Sequence, residues 1–285
     1  MVDETVITAD EIGARTDEVN ALTQKLLQGD TADSSPKPSI IQPNFSLNLL
    51  PGGLLDGETV LREIEVRELT GEHEERIAKA RQGEGSMIRW LNAILESGLV
   101  SIGGKSATPE LIGELLVGDR DYALLAISIA TFGDEIELGE RECANCHETY
   151  TVALEPDDVP LKRLASAKDR KFEVPLRKGG VAVVRLPNGH DQREVLGEPD
   201  LTDAERNSIL LKRCVVMLPD GDGGLQSVAG FPSRVNGLGI QDRKKILDEI
   251  SNRMPGPQYH EIELEHECGE RIPVSLGLMS LFPGL

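Results

Sequence analysis

Aromatic residues are scarce. Phe, Tyr and Trp make up 3% of the 285 residues, which leaves little material for an interface anchored on buried aromatic hot spots. Positive charge is also short: 30 Lys and Arg stand against 49 Asp and Glu, a formal net charge of −19. A surface this negative repels phosphate backbones and anionic lipid, so general binding to nucleic acid or to a membrane surface is not expected unless one face is locally basic. Long apolar runs are missing as well. The longest, residues 122–130, has nine residues, whereas a helix that spans a bilayer needs about 20. The opening MVDETVITADE is acidic where a secretory signal has a basic and then an apolar segment. These features lead to the expectation of a chain made and folded in a reducing cytoplasm. There the four cysteines, Cys143, Cys146, Cys214 and Cys268, serve as thiols or metal ligands in preference to disulfides.

The length allows one large domain or two modest ones. Residues 1–46 differ from the rest: Thr8 and Glu11 form a capping-box pair, and Ile12, Val19, Leu22 and Leu26 fall on one helical stripe until Gly29. A polar, proline-punctuated stretch follows over 29–38, as in an extended linker. One tethered amphipathic helix cannot bury its own stripe, so it is expected to dock on its own domain, on another copy or on a partner. Within 47–285 the alternating pattern of 57–69 predicts a strand. Helices are predicted from Thr70 to about Ala80, over 86–97 around Trp90, from the Thr108-Pro109-Glu110 cap, and over 119–129, where apolar residues on most sides predict the centre of a helical cluster. Further strands are predicted at 135–138, 149–154, 171–177, 180–186, 261–264 and 271–276. Helices are expected from the Thr202/Glu205 capping box to about Val216 and from about Gln241 to Asn252. The fold class is α+β, a helical cluster plus small β-sheets.

An internal echo carries the chemistry. Residues 135–154 and 261–276 each read as strand, knuckle and returning strand. With Cys146 laid on Cys268, both continue as Cys-X-Glu-X-X-X-Val-X-Leu. The first knuckle offers Cys143 and Cys146 at the spacing by which a turn aims two thiolates at one ion, and the second offers Cys268 with His266 two residues earlier. Together Cys143, Cys146, His266 and Cys268 form a closed Cys3His set suited to tetrahedral Zn2+, a zinc-ribbon-like element built from two knuckles distant in sequence. A closed set has no open position for water or substrate, so the ion is expected to be structural. His147 and His260 are reserve ligands, and Cys214, inside ILLKRCVVML, reads as a buried, inert thiol.

Three other patterns carry no chemistry. The GGKS run at 103–106 lacks the earlier glycine of a phosphate-binding loop, since Leu99 stands there. His73-Glu74-Glu75 ahead of the Cys-X-X-Cys resembles a zinc-deaminase pattern, but Glu142 replaces the proline and the HEE opens a polar helix. The acidic runs 72–75 and 261–270 read as exposed faces. No enzyme is expected.

The succession of LLPGG, IEVRELTGEHEE, ELLVGDRDYALLAISIATFGDEIEL, a Cys-X-X-Cys knuckle, a CG knuckle and the final SLFPGL resembles the T-even-type phage baseplate hub assembly family over residues 47–285. Leu116-Val117-Gly118-Asp119-Arg120 with Gly133, and the knuckle after them, are the most specific part. The resemblance implies a non-enzymatic helper or minor structural component of a contractile phage tail baseplate or related contractile injection system. Its implied partners are other tail and baseplate proteins, with no nucleic acid and no membrane. It implies residence in the cytoplasm of the producing bacterial cell, or in the tail or injection particle for a retained component. Relatives carry Cys-X-X-Cys-Gly at the last knuckle. Here Glu265 stands at the first of those positions, so Cys268 and Gly269 carry over directly and His266 is particular to this chain's reading. The alternative is a zinc-ribbon adaptor linked to nucleic acid or transcription. It needs a basic patch beside the knuckles, where this chain has Glu140, Glu142, Glu148, Glu263, Glu265, Glu267 and Glu270.

Overall fold

Pro51 and two following glycines interrupt the first strand of the fold and shape everything packed on it. A computed structural model describes residues 46–83 and 85–285; the expected N-terminal helix and the 29–38 linker lie outside the described residues. Strand β1 (Ser46–Asp56) pairs antiparallel with β2 (Thr59–Val66) across a turn at Gly57, and the register shifts between Leu49 and Leu54. Proline has no N–H for the ladder and Gly53 sits at φ 80, so the Pro51-Gly52-Gly53 stretch bulges out of the sheet. Strands β3 (Leu99–Ile102) and β4 (Lys105–Ser106) complete the order β1-β2-β3-β4. The GGKS run supplies the turn between them, with Gly103 and Gly104 at φ 58 and 77, the left-handed pair that two-residue hairpins favour.

Helices cover this sheet. Helix α1 (Gly71–Ala80) starts at Thr70, whose N–H donates to His73 Nδ1 at 3.1 Å, so the histidine of the HEE run closes a capping box. Helix α2 (Ser86–Gly98) buries Trp90, which meets Phe282 edge-on at 5.9 Å. Helix α3 (Pro109–Glu114) opens under Thr108, whose hydroxyl accepts from Leu111 N at 3.3 Å. Helix α4 (Val117–Phe132) is buried from Gly118 to Arg120 and from Ala123 to Ser128, the second stretch lying in its apolar run at 122–130, as an all-round apolar helix requires.

The chain then alternates small sheets and helices. A hairpin of β5 (Ile136–Glu142) and β6 (Thr149–Leu154) is followed by β7 (Leu161–Lys162), β8 (Lys171–Pro175) and β9 (Val181–Arg185). Helices α5 (Gly189–Leu196) and α6 (Asp203–Cys214) lead into β10 (Val215–Pro219) and β11 (Leu225–Ser227). After α7 (Ile240–Arg253) and the short β12 (Gly256–Pro257), a last hairpin joins β13 (Ile262–Glu265) to β14 (Arg271–Val274). The helix expected to reach Val216 stops at Cys214. Val215 instead pairs with Val184 of β9 in the sheet β11-β10-β9-β8, because β-branched Val215 and Val216 pack better on a pleated surface than in a helix. Phe172, Val174, Val184, Leu211, Cys214, Ile246 and Ile250 form the core of this half. Beside it, fully buried Asp191 receives Arg185 and Arg213 at 2.6 Å each. The expected α+β class, a helical cluster with small sheets, matches this architecture.

The bases of the β5–β6 and β13–β14 hairpins are fixed in the main core. Ile136, Val152, Leu154, Ile262, Val274 and Leu276 are buried with the residues of α2 and α4, each side chain contributing about 1.5–3 kcal/mol of burial. That anchoring sets where the two knuckles meet.

Candidate metal centre

The two knuckles are built alike but not to the same length. In the first, Cys143 N–H donates to Glu148 O and His147 N–H to Cys143 O, both at 2.9 Å, with His147 at φ 61. In the second, His266 N–H donates to Glu270 O at 2.9 Å and Gly269 N–H to His266 O at 2.7 Å, with Gly269 at φ 83. Each bond of the second knuckle closes a ring one residue shorter, which is why its ligand spacing is His-X-Cys and not Cys-X-X-Cys. Histidine fits the shortened position because its Nδ1 lies one bond farther from Cβ than a cysteine sulfur does.

The structure brings the four sequence-derived residues together. The ligand atoms of Cys143, Cys146, His266 and Cys268 all lie within 4.8 Å of one another. Cys143 Sγ and Cys268 Sγ are 3.7 Å apart, Cys146 Sγ and His266 Nδ1 3.7 Å, and His266 Nδ1 and Cys268 Sγ 3.2 Å. A tetrahedron with metal–sulfur bonds of about 2.3 Å and a metal–nitrogen bond of about 2.0–2.1 Å has edges of about 3.8 Å between sulfurs and about 3.5 Å between sulfur and nitrogen. The sulfur–sulfur edge of 3.7 Å is close to the first value and the sulfur–nitrogen edges of 3.7 and 3.2 Å lie on either side of the second, so the group could hold a metal ion.

Cys143 is buried, Cys146 and His266 are half-buried, and Cys268 is exposed. Tyr150 packs its ring against His266 at 4.8 Å between centroids, which fixes the plane of the imidazole. Asn145 Nδ2 approaches Cys268 Sγ at 3.6 Å. A hydrogen bond from His266 favours the Cys268 thiolate and brings that group down to about 6. At Cys146 the Glu148 backbone N–H also favours the thiolate, yet partial desolvation and the adjacent Cys143 and Cys268 sulfurs outweigh it and push the group up to about 11. Three thiols this close resist joint ionisation unless a cation neutralises them.

Both reserve histidines have other partners. His147 Nδ1 pairs with Glu142 Oε1 at 2.8 Å and His260 Nδ1 with Ser275 Oγ at 2.9 Å. Cys214 is fully buried in the second core, where burial pushes its thiol up to about 12, an inert group as the apolar run predicts.

The Gly118-Asp119-Arg120 run has a role that residue-by-residue reading missed. A Cβ on Gly118 would lie 1.6 Å from Pro255 O, so only glycine lets the start of α4 pass that chain. Asp119 Oδ1 accepts from Gly52 N at 2.6 Å and Gly53 N at 3.3 Å. Arg62 donates to the carbonyls of Leu50, Pro51 and Leu164 at 3.1, 2.6 and 3.0 Å, and Arg170 to those of Gly52 and Gly53. The bulge in β1 thus exchanges its lost ladder for one buried carboxylate and two guanidinium groups. Burial pushes Asp119 up to about 6, against the opposing pull of the Gly52 and Gly53 N–H groups. Arg120 ties α4 to its neighbours through Ile112 O, Asn92 Oδ1 and Gln192 Oε1 at 3.1, 2.6 and 2.8 Å. Pairing of PGG with GDR in one sequence was the available signal.

Buried charges here serve backbone groups, and the Cys143, Cys146, His266 and Cys268 side chains of two hairpins lie together. Residues 42–283 match the family described as T4 bacteriophage base plate protein, and the chain belongs to that family. Among curated proteins and solved structures nothing matches it. No described helix is long and apolar enough to cross a membrane.

Proposed function

We infer that the protein is a structural or assembly component of a contractile phage tail baseplate, or of a related contractile injection system. It acts through contacts with other tail and baseplate proteins and carries one structural Zn2+ on Cys143, Cys146, His266 and Cys268. The family match over 42–283 supports the first part. The second rests on one observation: ligand pairs 120 residues apart, from two separately anchored hairpins, converge until their ligand atoms all lie within 4.8 Å of one another. Zinc there supplies four strong bonds and no open position, so its contribution is to clip the two hairpins into one ribbon. The protein works in the cytoplasm of the producing bacterial cell and, if retained, in the assembled particle.

No observation favours the nucleic-acid adaptor. The seven glutamates beside the knuckles, from Glu140 to Glu270, are all exposed and present a surface that repels phosphate. Removing the gene from the native producer tests the reading. Particles lacking assembled baseplates are expected; contractile particles of normal form and number would contradict it.

A further inference from the structure

A groove of about 400 Å³ runs between the two knuckle hairpins. One wall contains Thr149, Tyr150 and Thr151, the other Leu264, Glu265 and His266. Successive side chains of a strand point to opposite faces, so three consecutive residues on each wall mean that β6 and β13 border the groove with their edges. Each hairpin is a separate two-stranded sheet, which leaves both strands with an edge that no other described strand occupies. Half-buried Ala153, Leu264 and Ile272 supply an apolar lining, and exposed Glu148, Glu265 and Glu267 stand on the rim. Among the described residues no cationic group lies within ion-pair distance of those three glutamates.

We propose that this groove receives an extended, lysine- or arginine-bearing segment of another tail protein, which adds as a strand to the edge of β6 or β13. Three features favour that occupant. Unpaired strand edges offer backbone donors and acceptors at strand spacing, the use made of sheet edges in β-augmentation. The apolar lining takes the alternate side chains that face inward, and glutamates without a cationic neighbour on a chain of net charge −19 select basic residues for the remaining positions. Glu142 and Glu263, by contrast, already have His147 and Arg271 beside them. The inference rests on the reading of the protein as a component that acts by protein contacts, and it names the chemistry of one partner.

The test uses the full chain and fluorescently labelled seven-residue peptides in which Val alternates with Lys and Arg, with Glu, or with Ser. The basic peptide is expected to bind and to slow amide exchange along β6 or β13. The double variant Glu265→Lys/Glu267→Lys is expected to weaken it about tenfold or more. An equal charge change on α5 and the turn after it, Glu194→Lys/Glu198→Lys, is expected to leave binding within about twofold, since those exposed sites lie outside the groove. Absence of binding by the basic peptide, equal binding of the acidic one, equal weakening by the two double variants, or binding without protection of either strand overturns the proposal. Metal content and melting temperature are read on the same samples: the peptide results decide the groove, and the metal content decides the zinc reading separately.

Discussion

Asp119 is the point at which one side chain holds the longest strand in place. Replacing it with alanine leaves the Gly52 and Gly53 N–H groups buried without their acceptor, and each such donor costs about 1–3 kcal/mol. The 2.6 Å bond to Gly52 belongs at the upper end of that range and the 3.3 Å bond to Gly53 at the lower. Asp119→Ala is therefore expected to cost about 2–5 kcal/mol, or roughly 4–20 °C in melting temperature for a chain of this size. Asp119→Asn keeps an acceptor and is expected to cost less than about 2 kcal/mol, because the relief of burying a charge offsets the lost attraction to Arg170 and Arg62. The two variants also separate in pH. Burial raises the Asp119 carboxyl from 3.8 to about 6, so the folded state holds this proton more tightly than the unfolded chain does. The associated stability is fully present below pH 3.8 and is lost as pH rises through about 6, a change on the order of 3 kcal/mol. Urea melts at several pH values measure this as the difference between wild type and Asp119→Asn. An alanine variant as stable as wild type, or a difference that stays flat between pH 4 and 7, would refute the account of the bulge.

Other consequences are equally direct. Gly118→Ala places a methyl group 1.6 Å from Pro255 O, in backbone that cannot yield locally, so a loss of about 3 kcal/mol or more, or failure to fold, is expected; a melt within about 1 kcal/mol of wild type would show that α4 does not pack this closely. Deleting residues 1–38 is expected to leave metal content and melting temperature unchanged while weakening assembly with partners; aggregation or early melting of the truncated chain would instead make the segment expected to form an N-terminal helix part of the domain's own core. Electrophoretic titration with duplex DNA at physiological ionic strength is expected to give no shift, and micromolar binding with a steep salt dependence would instead favour the adaptor reading.

Local signals made all the described helices but α5 legible. Thr70, Thr108 and Thr202 each start a helix at the expected residue, because a cap and its bonding partner lie within one turn of sequence. The convergence of Cys143, Cys146, His266 and Cys268 was legible for a related reason: the echo of two short knuckles is visible without knowing what lies between them. Strand β1 was not, since a proline and two glycines read as a break, and the groups that stabilise the bulge, Arg62, Asp119 and Arg170, lie up to 118 residues away. Helix α5 went unread because Gly189–Leu196 is mostly polar, and it is held by buried Asp191, whose partly exposed arginine partners come from β9 and α6. The run 209–218 shows the limit of periodicity: apolar on nearly every side, it divides into the end of α6 and most of β10, a boundary that alternation alone cannot locate.

The zinc clip is tested most directly by elemental analysis of the purified chain read together with its melting temperature, for the wild type and for Cys143→Ser and Cys268→Ser. The account predicts about one zinc per wild-type chain, and in each variant a loss of both metal and thermal stability, since a structural ion contributes its binding energy to the fold. A wild-type chain that carries no zinc, or variants that lose the metal and melt as the wild type does, would contradict it.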